Sequence, residues 1–355
     1  MACNKEAEEI YSKLTAGKLT FIFITLAGLV AMAFIAVYLG AASLSMKEVF
    51  DTIVAKVFPF MGVESSEIAT AIVWKARLPR IVMGIIAGAG LAVAGAAMQG
   101  TMRNPLVSPY TIGISSAAAF GASIAIVLGA GLVGSGRYLV ILNAFFFGVL
   151  TAFLVYGIAR IRGVTAETLI LAGIALMFLF SGLTSFLQYV ATEEELSVVV
   201  HWMFGSLSGT RWEDVYVAGF IFLFCLPFLM KYSWDFNAMT LGDEIATSSG
   251  VNTTQVRVLS LMLATFITAG IICFTGIIAF VGIVAPHIVR FIIGGDYRFL
   301  LPCSCLLGAL LLLVADTIGR TIVAPIIIPV GIIFSFIGVP FFLFLVMTKR
   351  KEYWG

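Results

Sequence analysis

The stretch GIIAGAGLAVAGAAMQG at residues 84–100 holds no charge, and its one amide side chain is Gln99. Its apolar residues do not alternate with polar ones, as they would in a strand of a membrane barrel. Extended back to Ile81, it supplies the roughly 20 residues that a helix rising 1.5 Å per residue needs to cross about 30 Å of hydrocarbon. In lipid only a helix or a closed barrel satisfies its own backbone, so the stretch reads as a transmembrane helix. Gly88, Ala92 and Gly95 recur at the small-xxx-small spacing that lets a second helix approach closely.

The rest of the chain repeats this pattern. Of 355 residues, 61% are hydrophobic and 11% charged, against roughly 25% charged in a soluble domain. So much apolar surface needs lipid to face. Apolar runs predict spans over 19–41, 81–100, 110–131, 138–159, 167–190, 214–231, 256–275, 278–294, 298–318 and 330–348. The seventh and eighth are parted at Gly276, Gly282 and Pro286. The expected fold class is therefore an all-α polytopic membrane protein of about ten transmembrane helices. The expected organisation is a head (1–18), a ten-helix domain (19–348) and a tail (349–355). The first run, ending near Ala42, exceeds the 7–15 residue core of a signal peptide and reads as an uncleaved span.

An even number of spans puts both termini on one side, and Lys and Arg are commoner on that side, which marks it as cytoplasmic. The exception is a basic outer connection with Lys47, Lys56, Lys75, Arg77 and Arg80. This connection, 43–79, contains an amphipathic stretch, MKEVFDTIVAKVF, expected to lie along the membrane surface. Val49, Ile53 and Val57, with Phe50 and Val54, share its apolar face. The long inner connection, 232–255, is polar, punctuated by glycine and long enough for two short helices.

Several chemistries lack their residues. No P-loop is present, since Gly17-Lys18 lacks its upstream glycine, and there is no GxSxG, HExxH or CxxC. Histidines His201 and His287 fall on opposite sides of the bilayer, which rules out joint haem ligation. Five cysteines form no framework; they read as small buried apolar residues. No metal site and no basic block for nucleic acid is expected. Ion-coupled carriers place ionisable groups deep in their spans. Here the chief exception is Asp316, which an i, i+4 pair with Arg320 would neutralise. A secondary transporter working without an ATPase stays as the alternative.

Five stretches, RLPR (77–80), AGAAMQGTMRNPLVSPYTIGIS (94–115), LGDEIATSSGVN (241–252), GIIAFVGIVAPHIVR (276–290) and DYRFLLP (296–302), together resemble the FecCD-type, BtuC-like permeases of ATP-driven importers. The substrates of that family are iron-siderophores, haem and cobalamin, and the likeness runs from about residue 20 to the C-terminus. It implies a type II ABC-importer permease subunit, not itself an enzyme, in the cytoplasmic membrane. Its partners would be a second permease copy, two ATP-binding subunits that carry ATP and Mg, an extracytoplasmic substrate-binding protein, and lipid. No cofactor is expected on this chain.

The resemblance also assigns residues. Asp243, Glu244, Ile245, Ala246 and Gly250 look like the segment that couples to the ATPase, with Ile245 where the family pattern has alanine. Arg77, Arg80 and Arg320 look like the arginines that meet acidic groups of the binding protein. A path along the dimer axis would be lined in part by the fifth span, where Ser181, Thr184, Ser185 and Gln188 recur at helical spacing. Thr165 and Ala166 match the position of a cytoplasmic gate.

Overall fold

The computed structural model describes residues 2–40, 44–132 and 136–348, and every regular element among them is helical. The tail at 349–355 lies outside the described residues.

Helix α1 (Ala2–Tyr38) joins the head to the first span without a break. On the face where α1 ends, α2 (Met46–Val57) starts at a capping box in which Ser45 and Glu48 satisfy each other's backbone amides. It buries Val49, Thr52 and Val54. Phe50 and Val57, expected on that same apolar face, are instead exposed, as is Met46.

The second span is longer than its hydropathy predicts. A helical turn α3 (Glu67–Ala69), a π-helical stretch (Thr70–Arg77) and α4 (Leu78–Thr101) run together as one 35-residue helix. Ser66 caps its start, and the Trp74 carbonyl accepts from the indole N–H of Trp212. Residues 67–79, expected in the outer connection, are thus the first turns of the span. These turns carry Glu67, Lys75 and Arg77 and extend the helix by packing on α1 and α2.

Next come α5 (Ile114–Leu128), α6 (Arg137–Arg162), α7 (Ala166–Val190), α8 (Glu193–Met203) and α9 (Trp212–Lys231). Two short helices follow, α10 (Ser233–Thr240) and α11 (Asp243–Ser248), then α12 (Thr253–Thr275), α13 (Val281–Ile293), α14 (Tyr297–Thr321) and α15 (Val330–Thr348). Seven helices among the described residues are long and apolar enough to span a bilayer. Three shorter apolar ones, Ile114–Leu128, Val281–Ile293 and Val330–Phe341, occupy the remaining expected positions.

Helix α4 is the centre of the bundle, buried along nearly its whole length and packed on α9, α12, α13 and α14. Its small residues decide this. A Cβ on Gly88 would stand 2.2 Å from the Gly308 carbonyl oxygen of α14, and one on Gly95 would stand 2.0 Å from that of Gly282 in α13. The Ala92 methyl lies in the same seam, where a Cβ on Gly308 would meet it at 2.5 Å. Backbones in contact gain dispersion and exclude lipid, which is what holds helices together where hydrophobic burial gives no advantage.

The break between α12 and α13 falls at Gly276–Phe280, where Gly276 and Phe280 both take positive φ. Gly282 and Pro286 lie inside α13. The unwound backbone is covered by protein rather than lipid: a Cβ on Gly276 would strike the Trp202 carbonyl at 2.1 Å, and Ser206 donates its amide to the Thr275 carbonyl. Such cover is what irregular backbone at this depth requires.

Candidate functional site

The bundle offers three regions with chemistry: the face carrying α10 and α11, the opposite face, and the exposed side of α7.

On the first face, α11 starts after Gly242 and ends at Ser248. The Val251 amide reaches back to the Ala246 carbonyl and the Gly250 amide to that of Thr247, with Gly250 at φ +90°. This is a Schellman cap, and its left-handed position is why glycine stands there. Ala246 is buried, Glu244 and Gly250 are exposed, and Ile245 is 51% exposed beside Leu241. The five residues expected to couple therefore form one projecting tip with an apolar crown.

The tip is tied down at both ends. Asp243 receives two hydrogen bonds, each 2.9 Å, from Nη2 of Arg257 in α12. Helix α10 is fixed by Asn237, which donates to Asp296 and accepts the Tyr297 amide. Asp296 also binds Arg298 and, at 3.4 Å, Lys18 of the head. Burial pushes the Asp296 carboxyl up, but hydrogen bonds from Arg298 and Asn237 outweigh it and hold the group well below the usual carboxylate range. Arg298 further stacks 4.2 Å over Trp234. Nearby, Gln99 donates to the Gly282 carbonyl and accepts from Arg290, which also reaches the Tyr297 hydroxyl. Sequence stretches nearly 200 residues apart thus meet in one network.

On the opposite face, Arg77, Arg80 and Arg320 line one cavity of about 610 Å³ with Lys75 and Arg211. The structure brings the three expected docking arginines together but does not present them as free forks. They are 6%, 7% and 5% exposed. Arg77 donates to the Val37 and Tyr38 carbonyls at the end of α1. Arg80 grips Asp316 and Ser208. Arg320 donates to the Ala36 and Leu39 carbonyls and pairs with Asp316 at 3.2 Å. The expected Asp316–Arg320 pair exists, but Arg80 is the closer partner. The reason is physical: α1 ends with unsatisfied carbonyls, and Arg77 and Arg320 satisfy them. The exposed cations at this cavity are Lys75 and Arg211; Arg211 escaped the sequence reading.

Along α7, Ser181 and Ser185 are exposed and Gln188 is half-buried, with its amide 3.2 Å from the Met203 sulfur. Thr184 leaves the strip: it is buried and bonds the Phe180 carbonyl. Thr165 is exposed and caps α7 in a box with Thr168, while Ala166 is buried behind it. Helix α8, also missed, opens with the box Thr192–Glu195, which is visible as T-x-x-E. No group of three His, Cys, Asp or Glu able to hold a metal occurs among the described residues.

Comparison with known proteins fits this architecture. The model of the FecCD transport family matches residues 28–348. The chain is 42% identical to the cobalamin import system permease BtuC of Halobacterium salinarum, over 80% of this chain and 75% of that one. It is 34% identical to the molybdate import system permease MolB of Haemophilus influenzae, over 91% and 94%. A solved metal-chelate type ABC transporter in an inward-facing conformation superposes with TM-score 0.81 at 33% identity, covering 93% of this chain and 99% of that chain. The chain belongs to the FecCD transport family. It is a permease of an ABC importer.

Proposed function

We propose that this chain is half of a homodimeric permease in the cytoplasmic membrane, with both termini in the cytoplasm, that imports a metal chelate. Two separate ATPase subunits, carrying ATP and Mg, dock on the α10–α11 face. ATP closes the ATPase pair, the tips move, and a central cavity changes the side to which it opens. The observation that carries this reading is the α11 tip. Ile245 on α11 and Leu241 in the turn before it expose apolar side chains, while Asp243 and Gly250 hold α11 in one geometry. A rigid mount with an apolar crown suits a cleft in a partner and can pass on its rotation.

A substrate-binding protein would meet the opposite face. There Lys75 and Arg211 are the cations within reach of an acidic partner, and the buried arginines set their frame. Arginine and lysine on such a rim steer and orient more than they tighten. The path would run between two copies, along Ser181, Ser185 and Gln188, to a gate at Thr165 and Ala166. Relatives carrying cobalamin and molybdate share this fold, which supports a substrate choice made by the binding protein. A carrier working alone lacks support: Asp316 and Asp214, the buried acids among the described residues, are both ion-paired.

Co-expression with candidate ATPase subunits tests the reading. A detergent-stable complex of two permeases and two ATPases that hydrolyses ATP is the expected result. Transport by the purified chain alone, without ATP, would replace it with the carrier reading.

A further inference from the structure

Arg257 stands in the first turns of α12 and is 1% exposed. A buried cation near a helix N-terminus opposes that helix's dipole, so α12 gains nothing from it on its own account. Its partners explain it. Nε donates to the Thr101 carbonyl at 3.1 Å, where α4 ends. Nη1 donates to the Val164 carbonyl at 3.1 Å, next to the Thr165 cap of α7. Nη2 binds both oxygens of Asp243, the first residue of α11.

One planar group therefore joins three elements that are 156, 93 and 14 residues away from it in the chain. Because the guanidinium is rigid and its donors point in fixed directions, a shift of Asp243 turns the plane and disturbs the other two bonds. Lysine, a point charge on a flexible stem, cannot hold three directions together. Asp243 keeps more than a third of its side-chain surface exposed, so the joint lies at the edge where a partner would press.

We infer that Arg257 is the positioning residue that carries movement of α11 to the inner end of α7, through Asp243 on one side and the Val164 carbonyl on the other. This rests on α11 being the ATPase contact. The pair is a joint: α11 moves, the guanidinium follows, and the Thr165 turn changes its exposure.

The test uses the permease–ATPase complex in detergent, with Cys3→Ser removing one thiol and Thr165→Cys adding a reporter. Labelling by a charged, water-soluble maleimide is measured without nucleotide and after trapping with ATP and orthovanadate. In the otherwise unaltered complex, trapping should change the labelling rate. In Arg257→Lys, which lies in α12 outside the docking tip, that change should fall about tenfold while the complex still assembles and hydrolyses ATP, and Asp243→Asn should lose it as well. Asp243→Glu, which keeps the carboxylate at an exposed edge, should restore most of it.

An undiminished nucleotide response in Asp243→Asn, in a complex that Ile245→Asp abolishes, overturns the joint alone. A complex that survives Ile245→Asp overturns the docking reading and the joint with it. If Arg257→Lys instead loses its thermal transition or its assembly, the pair is only a structural clamp and the proposal fails.

Discussion

Asp316 of α14 accepts hydrogen bonds from Nε of Arg80 at 3.0 Å and from its Nη2 at 2.8 Å, and Arg320 stands 3.2 Å away, four residues along the same helix. The carboxylate side chain is fully buried. It holds α4 to α14 at the level where Arg77 and Arg320 cap α1. Removing one member of a buried pair leaves the others charged and unsolvated, at a cost of about 3–5 kcal/mol. Asp316→Ala should therefore lower the thermal midpoint of the detergent-solubilised chain sharply, whether or not a binding protein is present. If stability holds and only binding-protein affinity falls, the arginines act by docking and not as a clasp.

The glycine seam makes a separate prediction about packing. Gly88→Ala places a methyl 2.2 Å from the Gly308 oxygen, and the helices must part or strain by about 1–3 kcal/mol. Gly157→Ala and Gly182→Ala meet nothing within 4 Å and should be neutral or slightly stabilising, since alanine is the better helix former. Thermal unfolding of the three variants side by side separates close approach from a general effect of glycine.

This seam was legible, because Gly88, Ala92 and Gly95 announce it by spacing alone. The spans were legible too, since a run of about 20 apolar residues is long enough to cross the hydrocarbon whether it faces lipid or other helices. The first turns of the second span were not: EIATAIVWKAR carries Glu67, Lys75 and Arg77 among its apolar residues and so breaks the uncharged run, while the Trp212–Trp74 bond and the neighbouring protein hold it as helix. Nor were the partners of Arg80 and Arg257 legible. Asp316 lies 236 residues from the first, and the second spends two donors on carbonyls that any residue would supply. Sequence marked out the segment that forms α11; it could not say what anchors it.

The Asp296 latch has a pH dependence of definite sign. Its folded-state carboxyl titrates below the usual range, so its contribution is complete above the ordinary aspartate value of about 3.9. It is lost only as pH falls through the lower folded value. Hydrogen-exchange protection of the α10 amides, corrected for intrinsic rates, should stay flat from neutral pH to about 4.5. Asp296→Asn should weaken it across that whole range. Loss of protection near pH 6 in the unaltered chain would show that another group governs α10.

Gly250→Ala separates the shape of the α11 tip from its stability. The added methyl meets no atom within 4 Å, but the residue sits at φ +90°, so the penalty is backbone strain of about 1–2 kcal/mol, confined to the end of α11. The bundle should keep its thermal midpoint. ATP hydrolysis by the assembled complex should persist, while substrate-dependent uptake falls. Intact coupled uptake would remove Gly250 from the coupling machinery.

The strip on α7 can be tested without knowing the substrate. Ser181 and Ser185 are exposed in the second half of α7, whereas Thr184 is buried and bonds its own helix. A lipid-facing serine and a path-facing serine differ in one respect, access to water. Cysteine at Ser181 or Ser185 should therefore react with a charged maleimide in membranes when a water-filled path runs beside α7. Cysteine at Thr184 should not, and neither should one at Leu179, exposed on a different face of the same helix. With Cys3→Ser in the background, the remaining native cysteines, Cys225, Cys273, Cys303 and Cys305, are all buried, so unspecific labelling should be low. Equal silence at all four sites would place this side of α7 in lipid and move the path elsewhere, because a charged reagent cannot reach a thiol through hydrocarbon.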